Sequence, residues 1–205
     1  TIKNAQLQQA KAEAELIALK NQVDPHFMFN SLNTLSYLVK SDARKALTFT
    51  ENLADVYRYI LMQKDYSLIL LEDELEFTER YIALLYLRFG QALVVHKHFA
   101  DTEKSKYLTP PTSVFIAFEN AVKHNEISEQ MPLKVEMEIT DNQLIIRNSI
   151  QKKGNVQDSS KIGLKNLSER FKLATGKPIE ATQTEGEFIV TLPLAPLGNY
   201  ESNID

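Results

Sequence analysis

The sequence predicts a fold of class α followed by α/β: a helical region to about residue 89, then an α/β sandwich of roughly a hundred residues. Three observations carry this. Apolar residues recur at spacings of three and four through the first part. Gly90 closes the last of those repeats. From Leu93 onward, strand-like alternation takes turns with helical patterns, which is the grammar of a sheet covered by helices.

The helical part begins with Ala5, Gln9, Ala12, Leu16, Leu19 and Val23, a heptad-like seam with charged and amide residues outside it. Continued, the register lands on His26, Asn30, Asn33 and Tyr37, so the seam turns polar. Pro25 stands at that junction, either in the first turn of a new helix capped by Asp24 or as a kink in a continuous one. Ser41-Asp42 reads as the cap of a second helix, whose apolar face is Ala46, Phe49, Leu53, Val56 and Ile60. After a polar link around Gln63 to Ser67, Glu72-Asp73-Glu74 places acid at the start of a third helix, suiting its positive terminus, and that helix runs to about Phe89.

In the second part, Leu93 to Phe99 reads as a strand and Pro110-Pro111 opens a helix through His124. Val135, Met137 and Ile139 alternate, Asp141-Asn142 signal a turn, and Leu144 and Ile146 return on a second strand. Gln151 to Lys161 is polar and aperiodic, hence a loop. A helix follows from Leu164 to about Ala174, stopped by Gly176-Lys177-Pro178. Two last strands, Ile179 to Gln183 and Phe188 to Leu192, meet across Glu185-Gly186.

The chain of 205 residues, 43% hydrophobic, suffices for one large domain or two small ones with real cores. Its net charge of −4, with acidic and basic residues interleaved, leaves no nucleic-acid footprint. Without cysteine, disulfides and thiolate metal sites are excluded. No run approaches the roughly 18 apolar residues of a membrane span. The opening Thr1-Ile2-Lys3, with no signal-peptide pattern, reads as the start of a soluble piece of something longer.

Three stretches can carry chemistry. In Asp24-Pro25-His26-Phe27-Met28-Phe29-Asn30-Ser31-Leu32-Asn33, helical spacing of about 100° per residue lines up His26, Asn30, Asn33 and Tyr37 beside apolar neighbours. A neutral imidazole there is a nucleophile near neutral pH, and the asparagines can orient it; a register-fixing polar layer in a bundle explains the same stripe. In Phe118 to Asn125, one helical turn offers Glu119 as a base, Asn120 as an oxygen ligand for a hard cation and Lys123 as a phosphate partner. A solvated end of an amphipathic helix is the plainer reading. Ser159-Ser160-Lys161-Ile162-Gly163-Leu164-Lys165-Asn166 resembles a phosphate cradle at a helix start, and also an ordinary loop before a helix.

Together and in this order, these stretches resemble sensor histidine kinases of the LytS-like family. The residues that carry the resemblance are Gln22 to Asn33, the N-box-like Pro111 to Asn125, and Ile162 to Phe171. Leu53 to Tyr59, Leu71 to Leu75, Tyr81-Ile82 and Arg88-Phe89-Gly90 support it. The resemblance implies that residues 1–89 are a dimerisation and phosphotransfer domain whose helical hairpin pairs with a second copy as a four-helix bundle. It implies that residues 90–196 are an ATP-binding α/β sandwich of the GHKL type, with 197–205 a tail. His26 would be the phospho-acceptor and Glu119 its base. Asn120 would hold Mg²⁺, and Lys123, His124, Asn148, Gly163, Leu164 and Asn166 would contact ATP.

The implied partners are a second copy of the chain and a response regulator, possibly one of LytTR type, with no nucleic acid and no direct membrane contact in this fragment. The implied location is the cytoplasmic portion of an inner-membrane sensor. Two departures stand out. Arg147-Asn148-Ser149-Ile150 occupies the place of the family's usual Asp-x-Gly-x-Gly, and Lys161 stands where the first glycine of a Gly-x-Gly-Leu is expected. An autokinase with a remodelled lid and a catalytically weak or inactive dimeric signalling module both remain open on this reading.

Overall fold

A computed structural model describes residues 25–62, 66–151 and 160–199. The seam from Ala5 to Val23 and most of the polar loop after Gln151 lie outside the described residues. The chain divides into two compact units, 1–62 and 63–205.

The first unit is a helical hairpin of α1 (Pro25–Ser41) and α2 (Ala43–Met62). The turn is a single residue, Asp42, whose Oδ1 accepts the backbone N–H groups of Arg44 and Lys45 at 3.1 Å each, the expected cap. Ala46, Phe49, Val56 and Ile60 are buried, four of the five positions in the predicted seam, together with Ser31 and Leu38 of α1. The rings of Phe27 and Tyr57 close the hairpin with centroids 5.9 Å apart.

The second unit opens with β1 (Ile69–Leu70) and α3 (Leu71–Phe89), then a 3₁₀ turn at Gly90–Ala92. Next come β2 (Leu93–His98), α4 (Asp101–Lys104), β3 (Tyr107–Thr109) and α5 (Ser113–His124). The hairpin of β4 (Leu133–Thr140) and β5 (Gln143–Ser149), then α6 (Ser160–Thr175), β6 (Glu180–Gln183), β7 (Glu187–Pro193) and β8 (Ala195–Pro196) complete it. Five strands form a mixed sheet in the order β2-β4-β5-β7-β6, in which only β2 and β4 run parallel. A second, three-stranded sheet has the order β1-β3-β8.

Alternation sets the two faces of the large sheet. Leu133, Val135, Met137 and Ile139 of β4, with Leu144 and Ile146 of β5 and Val190 and Leu192 of β7, are buried. On the other face Arg147 reaches Glu138 at 3.1 Å. The β4–β5 connection is the predicted two-residue turn. Asp141 and Asn142 take φ of 49° and 59°, the left-handed pair that such a hairpin needs. Helix α5 lies against β5 and β7 and packs on α3 and α6. Tyr81 of α3 meets Phe115 edge-on at 4.8 Å and Phe118 at 6.3 Å, fixing α5 along one side.

Four points differ from expectation. The compact units divide at residue 62 rather than 89, because α3 buries Leu71, Leu75, Phe77, Tyr81, Ile82, Leu84 and Leu85 in the second unit. Helix α5 starts at Ser113, not at the prolines, since Thr112 takes a left-handed φ of 59°. Helix α6 begins at Ser160, so Gly163 lies inside it rather than before it. The pieces α4, β1, β3 and β8 are too short for a periodic signal.

Candidate active site

In the first unit, position 26 is the second residue of α1, on the helix's first turn. Positions 30, 33 and 37 continue its stripe. Asn30 is half-buried, and Asn33 and Tyr37 are exposed. Ser31 and Leu38 occupy the hairpin-facing side. On the opposite flank, Met28, Phe29, Leu32 and Val39 are large apolar residues left exposed. The helix thus carries three faces: one packed in the hairpin, one polar and aligned with His26, one apolar and open.

In the second unit, α5 supplies Glu119, Asn120, Lys123 and His124 within two turns. Glu119, Lys123 and His124 are half-buried and engaged in interactions of their own. Asn120 is different: its side chain is only 9% exposed and makes no hydrogen bond among the described residues. Its amide atoms are not among the buried polar atoms left without a partner, so they reach the surface, and an amide oxygen so placed suits a hard cation shared with phosphate oxygens. Among the described residues no cluster of three or more His, Cys, Asp or Glu offers a self-sufficient metal cage.

Asn148 sits on β5 as the next member of the Leu144, Ile146 face. It is 4% exposed, and its Nδ2 donates to the Ser149 carbonyl at 2.8 Å. That leaves the amide oxygen and the second Nδ2 hydrogen as the groups it can offer to a ligand. On α6, Gly163 and Asn166 are exposed and Leu164 is half-buried, while Leu167 and Phe171 anchor the helix in the core. Apart from its chain neighbours and the helix's own backbone, no described atom lies within 4 Å of where a Gly163 Cβ would stand. Packing therefore gives no reason for a glycine inside a helix.

Sequence reasoning passed over two residues that build this unit. Asn125, just after α5, donates Nδ2 to the Ala121 carbonyl at 2.8 Å and accepts the Gln151 N–H at 2.6 Å. Glu74, read as acid for its own helix terminus, is instead fully buried and turned to another helix. Its carboxylate accepts the N–H groups of Thr112 at 2.8 Å, Val114 at 3.0 Å and Phe115 at 3.3 Å.

The histidine kinase family model matches residues 14–93. Sensor protein LytS of Bacillus cereus is 32% identical over 209 residues, covering 92% of this chain and 35% of that protein. The chain belongs to the LytS-like histidine kinase family. LytS of Staphylococcus haemolyticus is 38% identical over 112 residues, 55% of this chain and 19% of that one. The chain thus spans about a third or less of these relatives. Among solved structures, the cytoplasmic segment of histidine kinase QseC aligns with a TM-score of 0.45 at 18% identity, covering 76% of this chain and 94% of that one. The architecture of this LytS-like chain, a helical hairpin followed by an α/β unit of helices on a mixed sheet, is the one its sequence predicted.

Proposed function

We propose that this chain is the cytoplasmic catalytic portion of a two-component sensor histidine kinase, which phosphorylates His26 from ATP and passes the group to an aspartate of a response regulator. The observation that carries the reading is Asn120 on the N-box helix, a largely buried residue whose amide no described residue engages, in a chain of this family with a histidine on the first turn of α1. An imidazole nitrogen of His26 attacks the γ-phosphorus in line. The bond to the β,γ-bridging oxygen breaks, ADP leaves with the electron pair, and Glu119 takes up the imidazole proton. Mg²⁺ neutralises charge on the phosphates when bound, with Asn120 as its protein ligand. Lys123 and His124 meet the phosphates, and the Asn148 oxygen can accept from the adenine amino group in place of the family's aspartate. Gly163, Leu164 and Asn166 face the nucleotide from the lid side.

The bundle pairs two copies of the chain. The exposed stripe Phe29, Leu32 and Val39 supplies an apolar surface for a second hairpin. The second reading, an inactive signalling module, is favoured by Arg147 to Ile150 and by Lys161, which lack the family's aspartate and glycines. Incubation with γ-labelled ATP and Mg²⁺, beside a His26→Ala copy, separates the two. Acid-labile, alkali-stable label on the parent alone supports the autokinase. A folded dimer that takes no label, with nucleotide titration also silent, supports the inactive module.

A further inference from the structure

One residue joins three helices of the second unit. Thr112 donates its backbone N–H to Glu74 of α3 at 2.8 Å, and its Oγ1 accepts both terminal nitrogens of Arg170 of α6 at 3.3 Å each. The same hydroxyl donates to the Pro111 carbonyl at 2.7 Å. Glu74 also takes the N–H groups of Val114 and Phe115, so one carboxylate satisfies three backbone donors at the start of α5. Thr112 itself gives no side-chain cap to α5. The cap comes from a different helix, about forty residues earlier in the chain.

The arrangement is expensive for an ordinary cap. A carboxylate with no exposure needs full compensation, which three N–H donors provide. Arg170 is largely buried beside it; burial lowers its pKa, and the Glu74 charge pushes the other way. Its Nε has no hydrogen-bond partner among the described residues. The left-handed backbone of Thr112 keeps its own hydroxyl from capping α5. What the observed device adds is registry. It fixes α5 along its own axis against α3 and, through Arg170, against α6.

Those are the helices that bear Asn120 and Lys123 on one side and Gly163 and Leu164 on the other. Asn120 lies about 10 Å along α5 from the capped turn, at 1.5 Å rise per residue. A helix transmits an axial shift along its length almost undiminished, and a misplacement of about 1 Å at a reacting centre costs roughly a hundredfold in rate. We propose that Glu74 and Arg170, meeting at Thr112, are positioning residues that set the spacing between the two nucleotide-facing helices. The proposal rests on the reading of α5 and α6 as the ATP-binding helices.

The test is calorimetric titration of the whole chain with Mg-ATP, paired with thermal melts, for the parent, Glu74→Gln, Arg170→Gln and the double variant. Glu74→Gln keeps the shape but turns an amide N–H₂ toward backbone donors. The expected result is a tenfold or greater rise in Kd for each folded single variant, with the double variant losing less than the product of the two. Arg170→Gln leaves the carboxylate cap in place and stays informative should Glu74→Gln fail to fold. Lower melting points with an unchanged Kd would show a purely structural cap and overturn the proposal alone. A parent that binds no nucleotide would overturn the functional reading and this proposal with it.

Discussion

Asn125 accepts the backbone N–H of Gln151 at 2.6 Å, which ties the end of α5 to the chain just beyond the end of β5. The tie is doubled by Glu126, whose N–H donates to the Gln151 carbonyl at 2.8 Å. Since Asn125 is buried and also holds the Ala121 carbonyl, its amide is committed at both ends. Replacing it with alanine strands a buried donor and a buried acceptor, and we expect a loss of about 2 kcal/mol. Urea denaturation with an unchanged m-value would measure it; a midpoint equal to the parent's would contradict the role.

Gly163 gives a prediction of opposite sign. It sits inside α6 with open space at its Cβ position and no special backbone geometry. Alanine there is expected to stabilise the fold by about 0.5 to 1 kcal/mol. If phosphate approaches the helix at this point, the same change weakens nucleotide binding. Stability rising while ATP affinity falls is the expected pair of results, and affinity that does not fall would remove Gly163 from the site.

The exposed face of α1 makes a prediction about assembly. Leu32→Glu and Val39→Glu place charge on positions that the hairpin itself leaves uncovered. Helicity of the isolated protomer should be unaffected, while sedimentation shifts from dimer to monomer. A dimer that survives both changes would locate the contact elsewhere.

Asp101 and Lys104, on the short helix α4, pair at 2.8 Å. The hydrogen bond from Lys104, and then its charge, hold the Asp101 carboxyl below its ordinary value of 3.8. The stabilisation is present above the ordinary carboxylate value and is lost as the pH falls through the lower, folded one. Lys104 is raised in turn, chiefly by the same hydrogen bond, so its contribution persists below the ordinary lysine value and disappears as the pH climbs past the raised one. Carbon-detected titration should show the Asp101 midpoint moving up in Lys104→Met; identical midpoints would deny the pairing in solution.

Much of this was legible in the sequence because the signals are local. The buried quartet Ala46, Phe49, Val56 and Ile60 follows from spacing, and the Asp141-Asn142 turn follows from residues that tolerate positive φ. The N-box residues fell on one helix for the same reason. What escaped is long-range. Glu74 looked like a helix-start acid because the N–H groups it serves lie about forty positions away, and nothing in a local window announces them. The short strands β1, β3 and β8 are invisible for a related reason: two or three residues cannot alternate long enough to register. Helix α6 starts earlier than its glycine suggests, because the helix runs through Gly163 rather than beginning after it.

The small sheet has a consequence for how the molecule is made. Leu108 pairs with Leu70 on one side and with Ala195 on the other, so one short strand holds both the entrance and the exit of the second unit. On the ribosome, the hairpin of α1 and α2 and the β4–β5 turn can form as they emerge, since their partners are adjacent. The entrance strand has nowhere to settle until residue 109 has appeared, and the strand beside it keeps an open edge until residues 195 and 196 arrive. Completion of this unit therefore waits for residues 195 and 196, and nascent chains halted short of them should be selectively open to proteolysis along the uncovered strand at 107–109.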